Sequence, residues 1–124
     1  MKQYKKNVDK FNLLILTLLS SCAFFIGNWR NGYAYSYYSA ATQSATNSWK
    51  SFFYGSFDAS NYMSIDKPPM AVWISSIFTR IFGFNSFWIL FPHALAGVLC
   101  ALVLYAIIRK HFDAHTALLG GLLF

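Results

Sequence analysis

Two long uncharged apolar runs dominate the pattern of the chain. The first covers residues 11–29 and the second covers residues 86–108, which makes nineteen and twenty-three residues. As α-helices they would be about 28 Å and about 34 Å long, enough to cross the hydrocarbon layer of a bilayer. A third apolar run, residues 114–124, is too short to cross and predicts the start of a truncated third transmembrane helix. The pattern therefore predicts a chain with at least two membrane spans.

Residues 30–85, between the two spans, carry helical rather than continuous apolar patterning. Apolar residues at steps of three and four predict an amphipathic helix over residues 35–53, and Gly55 begins a turn region rich in Ser, Asn, Asp and Gly. A second amphipathic helix is predicted over residues 69–82. One side of it is polar and the other carries Trp73, Ile74, Ile77, Phe78, Ile81 and Phe82. This helix is too short to cross and is expected to lie along the membrane interface.

Basic residues flank the two spans on one side. Residues 1–10 contain four lysines, and the short loop 109–113 follows the second span with Arg109 and Lys110. By the positive-inside rule both segments are cytoplasmic, so residues 30–85 lie at the outer face. The sequence thus predicts an all-α, multi-pass protein of the cell membrane with a cytoplasmic N-terminus.

The composition agrees with a membrane protein and disfavours a nucleic-acid binder. Hydrophobic residues make up 56% of the chain and charged residues only 11%, which is too apolar for an ordinary soluble domain. The net charge of +6 is interleaved with apolar runs, and no nucleic-acid-binding motif is present. Membrane lipids are therefore the expected partners, nucleic acid is not, and the oligomeric state is left open.

The sequence LSSC at residues 19–22 offers an alternative for the first span, because it is similar to a lipoprotein cleavage site with Cys22 as the lipidated residue. The apolar run continues to Ile26, whereas lipoproteins normally turn polar after that cysteine. Cys22 and Cys100 both fall inside predicted spans and lack the spacing of a metal pair or disulfide framework. The pattern favours a membrane span with two structural cysteines.

The stretch SIDKPP, residues 64–69, sets Asp66 and Lys67 where the second amphipathic helix begins. At a membrane surface with an effective dielectric constant of ~20, a phosphate about 4 Å from the lysine would gain roughly 4 kcal/mol before desolvation. Pro68 and Pro69 restrict the backbone, and the helix start adds its dipole. A divalent cation bridging Asp66 to a phosphate is a further option. The alternative is that Asp66 caps the helix and Lys67 reaches lipid headgroups.

The order of these segments, with the string YYSAATQSATNSWKSFFYGSFDASNYMSIDKPP, resembles the family 39 glycosyltransferases. These include the protein O-mannosyltransferases and the lipid A aminoarabinose transferases. The resemblance covers essentially the whole chain but only the start of the much longer family sequence. It implies a C-type, multi-pass glycosyltransferase fold. It also implies an enzyme that transfers a hexose-type sugar from a polyprenyl-phosphate carrier to an outer-face acceptor, and a fragment that is inactive alone.

The resemblance also implies roles for residues of the outer loop. Lys67 corresponds to the lysine that contacts the carrier phosphate, with Asp66 as its acidic neighbour. The acidic pair that many members carry near the start of this loop is missing from GYAYSYYSAA, so the candidate catalytic carboxylates are Asp58 and Asp66. Apart from the resemblance, Tyr37, Tyr38 and Asn61 carry hydroxyl and amide groups suited to binding sugar or phosphate, with ordinary interfacial packing as the alternative for each.

His93 follows Pro92 inside the second span, where a polar side chain is expected to form a helix–helix hydrogen bond.

The alternative function is that of a small non-enzymatic membrane protein that binds a lipid or a partner helix. A reading frame that continues with further spans would favour the enzyme.

Overall fold

The computed structural model describes residues 2–30, 32–33, 35–58 and 60–124, without the side chains of residues 2–6, 29 and 30. The side chains of Lys2, Lys5 and Lys6, whose charges enter the predicted topology, are therefore not among those that the structure describes. All regular elements in the described part of the chain are helices. They are α1 (Lys2–Arg30), α2 (Ser36–Asn47), α3 (Trp49–Tyr54), α4 (Met70–Phe82), α5 (Ser86–His111) and α6 (Ala114–Leu123). The all-α class predicted from the sequence is confirmed.

Two of these helices are long and apolar enough to cross a membrane. The segments that qualify by length and composition are Asn7–Asn28 within α1 and the whole of α5, Ser86–His111. Helix α1 already begins at Lys2, so the residues predicted as a separate basic tail are continuous with the first span. The chain divides into two compact units, one made of Met1–Gly27 with Ala94–Phe124 and the other of Asn28–His93.

The first unit is held together by an apolar cluster and by a polar cluster. Leu16 of α1 is fully buried in the core formed with Ala101, Tyr105 and Ala117. Nearer the start of α1, the Asp9 carboxylate accepts hydrogen bonds from Arg109 Nε at 2.6 Å and from the Tyr105 hydroxyl at 3.2 Å. The carboxylate of α1 and the guanidinium of α5 therefore balance each other's charge.

The second unit breaks the helix that the sequence predicts over residues 35–53. Ser48 is extended, with φ −135° and ψ 132°, and its hydroxyl accepts a hydrogen bond from Ser51 N at 3.3 Å. This is the geometry of an N-cap, so Ser48 ends α2 and starts α3. The apolar positions stay in phase across the break, which is why periodicity alone predicts one helix.

Helix α4 turns its small polar side chains inward and its large apolar side chains outward. Ser75, Ser76 and Thr79 are almost fully buried, whereas Met70, Ile74, Ile77 and Ile81 are exposed. The inward face packs on α2, where Ala41 and Ala45 form a core with Val72. Their small side chains allow close approach, and the buried hydroxyls find partners such as the one between Thr46 and Thr79, 2.6 Å apart.

Arg80 fastens α4 to the end of α2 and the start of α3. Its guanidinium carbon lies 4.0 Å from the ring centroid of Trp49, and its Nε and Nη2 both donate hydrogen bonds to Ala45 O, at 3.2 Å and 2.5 Å. A planar guanidinium can stack on indole and reach a helix-end carbonyl at the same time. Arg80 thus belongs to the packing of the second unit.

Replacing Arg80 by Lys should lower the free energy of unfolding by about 1–2 kcal/mol, because an ammonium loses the stacked geometry and the forked hydrogen bond. The measurement is denaturant titration of the chain in detergent followed by tryptophan fluorescence. The control is Lys50→Arg, because Lys50 is an exposed base on α3. Equal unfolding free energies for both variants and the unaltered chain would contradict this role.

Candidate functional site

The segment that carries Asp66 and Lys67 is held against the end of α3. Ile65 N donates a hydrogen bond to Gly55 O at 2.9 Å. Gly55 has φ +58°, and a Cβ there would lie 2.9 Å from Pro69 Cβ, so only glycine fits both the turn and the close contact. The Ile65–Gly55 hydrogen bond and the close approach of Gly55 to Pro69 therefore fix the position of the backbone on both sides of Lys67.

Tyr38 of α2 joins the acid and the base of this segment. Its hydroxyl donates a hydrogen bond to Asp66 Oδ1 at 3.3 Å, and Lys67 Nζ lies 5.6 Å from the centre of its ring. The hydroxyl of Tyr38, followed by the carboxylate of Asp66, raises the pKa of Lys67 above its ordinary value of 10.5. Lys67 is therefore an ammonium ion throughout the physiological pH range.

Asp66 does not cap α4, which was the alternative drawn from the sequence. Pro69 occupies the N-cap position, and no side chain there accepts a capping hydrogen bond. Asp66 Oδ1 instead contacts Tyr38, twenty-eight residues away in the chain. The Asp66 carboxylate thus forms a hydrogen bond beside Lys67 and does not cap α4, so the helix-cap interpretation is wrong.

Two cavities of the second unit share Tyr35, Tyr38 and Lys67 in their walls. The first has a volume of about 490 Å³ and is lined mainly by apolar side chains, among them Ile65, Val72, Ile89 and Leu90. The second has a volume of about 560 Å³ and is lined by Tyr35, Tyr37, Tyr38, Asp66 and Lys67. Lys67 therefore stands where an apolar space meets an aromatic, charged one.

Four of the residues predicted as functional come together in this second cavity, and two do not. Asp66, Lys67, Tyr37 and Tyr38 all line it, and the ring of Tyr37 stacks on Phe57 with centroids 4.8 Å apart. The structure brings these four residues together, and their binding and catalytic roles stay predictions.

Asp58 and Asn61 instead organise the loop after α3. Asp58 Oδ1 accepts hydrogen bonds from the backbone of Tyr62 at 3.0 Å and of Met63 at 3.2 Å. Asn61 has φ 62°, and its Oδ1 accepts hydrogen bonds from Ser51 at 3.0 Å and Ser56 at 2.8 Å. Neither residue lines the two cavities described above. Catalysis by Asp58 and substrate binding by Asn61 stay predictions.

His93 forms the helix–helix hydrogen bond expected for it. Its Nε2 lies 3.0 Å from Ser75 Oγ, which joins α5 to α4, and both residues line the apolar cavity. The sequence places Ser75 on the polar side of α4 without indicating this partner. The pattern of polar and apolar residues around Ser75 does not indicate this partner, because His93 lies eighteen residues further along the chain.

Asp66 is the carboxylate in the cavity beside Lys67 that could contribute to a metal site. Within the described ranges, no three His, Cys, Asp or Glu side chains come together. A divalent cation at Lys67 would have Asp66 and the ligand's own phosphate as its available oxygen donors. The divalent metal stays a prediction.

The fold and the site define an all-α membrane-type chain, in which a folded unit with a cationic rim lies between two long apolar helices in sequence. Residues 66–124 match the family described as "Dolichyl-phosphate-mannose-protein mannosyltransferase". No solved structure matches the chain.

Similar proteins carry names from the same family. The chain is 36% identical over 115 residues to "Putative mannosyltransferase YycA" of Bacillus subtilis (strain 168), covering 91% of this chain and 17% of that protein. It is 37% identical over 118 residues to "Putative mannosyltransferase YkcB" of the same strain, covering 94% of this chain and 16% of that protein. The glycosyltransferase family predicted from the sequence is thus confirmed, and the chain spans about one sixth of the length of these relatives.

Replacing Tyr38 by Phe should lower the pKa of Lys67 toward 10.5, since the hydroxyl is the largest cause of its upward shift. A raised folded pKa stabilises the fold fully below 10.5, and this stabilisation is lost as the pH rises through the raised value. Titration of the lysine side-chain nitrogen by NMR measures the shift. The control is Tyr37→Phe, because Tyr37 lines the same cavity but is not among the causes of the shift. An unchanged Lys67 titration in the Tyr38 variant would refute the assignment.

Proposed function

We propose that the protein that carries this chain is a membrane glycosyltransferase. It transfers a hexose-type sugar from a polyprenyl-phosphate carrier to an acceptor at the outer face of the cell membrane. The observation that supports this proposal most strongly is the position of Lys67 on the rim shared by the two cavities. The match to a mannosyltransferase family supports the sugar-transfer chemistry.

The donor has three chemically different parts, and the site offers a suitable surface for each. Its prenyl chain is apolar and suits the exposed apolar face of α4, which includes Met70, Ile74 and Ile77. Its phosphate suits the Lys67 ammonium. Its sugar suits the cavity walled by tyrosines and Asp66, because aromatic faces stack on sugar rings while hydroxyl and carboxylate groups form hydrogen bonds. Because Lys67 lies on the rim that both cavities share, it would hold the phosphate next to the cavity proposed for the sugar.

Lys67 would act on the leaving group. When the bond between the anomeric carbon and the phosphate oxygen breaks, negative charge grows on the phosphate. An ammonium beside that oxygen stabilises the charge as it develops. The raised pKa of Lys67 keeps the positive charge available at every pH at which such an enzyme would work.

The charge pattern at the membrane flanks supports the proposed outer-face location. Arg109 and Lys110 lie at the end of α5, while Lys67 lies in the segment between the spans. If the flanks are cytoplasmic, a donor whose sugar is displayed on the outer leaflet can reach Lys67. The outward apolar face of α4 fits a helix lying at that surface.

Replacing Lys67 by Gln in the full-length protein should reduce turnover of a labelled polyprenyl-phosphate sugar roughly 100-fold, as expected for the loss of one charge-stabilising group. Lys67→Arg should retain part of the activity because it keeps the charge. The measurement is release of labelled polyprenyl phosphate in proteoliposomes.

Lys50→Gln is the matched control, because Lys50 is an exposed lysine of the same outer segment and lines neither cavity. It should leave turnover unchanged. Equal turnover in the Lys67→Gln variant and the unaltered protein would remove Lys67 from the mechanism.

A further inference from the structure

We infer that His93 accepts the proton of the acceptor's hydroxyl group during sugar transfer, and that Ser75 positions its ring for this step. The inference rests on the glycosyl transfer proposed above and adds a residue to it.

Ser75 determines which nitrogen of His93 carries the proton. Its hydroxyl is buried and lies 3.0 Å from two groups, Ile89 O and His93 Nε2. A hydroxyl has one proton to donate, and a carbonyl can only accept. Both contacts are satisfied when Ser75 donates to Ile89 O and accepts from the N–H of His93 Nε2. Neutral His93 then has an unprotonated Nδ1.

The same contact persists when His93 is charged. Protonation adds a hydrogen to Nδ1 and leaves the Nε2 N–H in place, so the hydrogen bond to Ser75 is kept in both states. The ring can therefore gain and lose a proton at Nδ1 without rotating. This property distinguishes a proton-accepting histidine from one whose two nitrogens are both used in packing.

His93 shares its cavity with Lys67, the group that we propose for the donor phosphate. The other titratable side chains in that wall are Tyr33, Tyr35 and Tyr38, and the described lining includes no carboxylate. Asp66 lines the neighbouring cavity and accepts a hydrogen bond from Tyr38, and Asp58 accepts hydrogen bonds from the loop backbone. Imidazole is therefore the base that the cavity itself supplies.

The step balances without any further reactant. The acceptor oxygen forms a bond to the anomeric carbon as its proton moves to His93 Nδ1. The bond from the anomeric carbon to the phosphate oxygen breaks, and its electron pair leaves with the phosphate, which Lys67 neutralises. The imidazolium then returns its proton to the departing phosphate or to water.

The kinetic test replaces His93 by Gln in the full-length protein. Glutamine can still hydrogen-bond Ser75 but cannot take a proton at neutral pH. We expect kcat to fall roughly 100-fold or more with the donor KM nearly unchanged, and the acid limb of the pH profile to disappear. His111→Gln is the matched control, because His111 lies at the other end of α5, and it should behave as the unaltered protein.

Ser75→Ala and Ser76→Ala separate positioning from packing. Both serines are buried on α4, but Ser76 donates to Trp73 O and only Ser75 contacts His93. Ser75→Ala should lower kcat and shift the acid limb, whereas Ser76→Ala should move neither. In NMR spectra of ¹⁵N-histidine, His93 should carry its proton on Nε2, and Ser75→Ala should mix the two tautomers.

Three results would overturn this inference alone while the unaltered protein transfers sugar. They are full activity of His93→Gln, loss of the acid limb in Asp66→Asn in place of His93→Gln, and a neutral His93 protonated on Nδ1. Absence of transfer by the unaltered protein from any polyprenyl-phosphate sugar would instead overturn the proposed function, and this inference with it.

Discussion

The close packing of α4 on α2 through small side chains is the constraint on which the second unit depends. The residues packed between the two helices include Ala41 and Ala45 on α2 and Val72 and Thr79 on α4, all of them buried. The hydroxyls of Ser75, Ser76 and Thr79 can be buried in this way because each has a hydrogen-bond partner inside the unit. The large apolar side chains of α4 are left on the outside, which suits a helix at a membrane surface better than one in water.

This packing also brings together the groups of the site. Tyr38 comes from α2, Lys67 from the segment that enters α4, and His93 from the start of α5. The hydroxyl of Tyr38 links Asp66 to the surroundings of Lys67, and the hydroxyl of Ser75 fixes His93. The cation and the proposed base therefore line one cavity because three helices are held at short range by small residues.

The sequence predicts what depends on local pattern. Long apolar runs identify α1 and α5, and the change of polarity around α4 identifies both of its faces. The break at Ser48 is missed because apolar positions remain in phase through it, and a cap is a matter of one serine's backbone angles. The contacts of Arg80 with Trp49, and of Asp9 with Arg109, are missed because they join residues far apart in the chain. Lys67 could be singled out from its motif, whereas the Ser75–His93 pair exists only once the helices are packed.

The most direct test of the account measures the distance between Lys67 Nζ and the phosphorus of a bound polyprenyl phosphate. Solid-state NMR of the protein in lipid bilayers, with ¹⁵N-lysine and the natural ³¹P nucleus, provides this measurement. The account predicts a strong dipolar coupling that corresponds to a direct ammonium–phosphate contact, with N–O distances of about 2.7–2.9 Å. A phosphate that is bound by the protein but shows no coupling to Lys67 would contradict it.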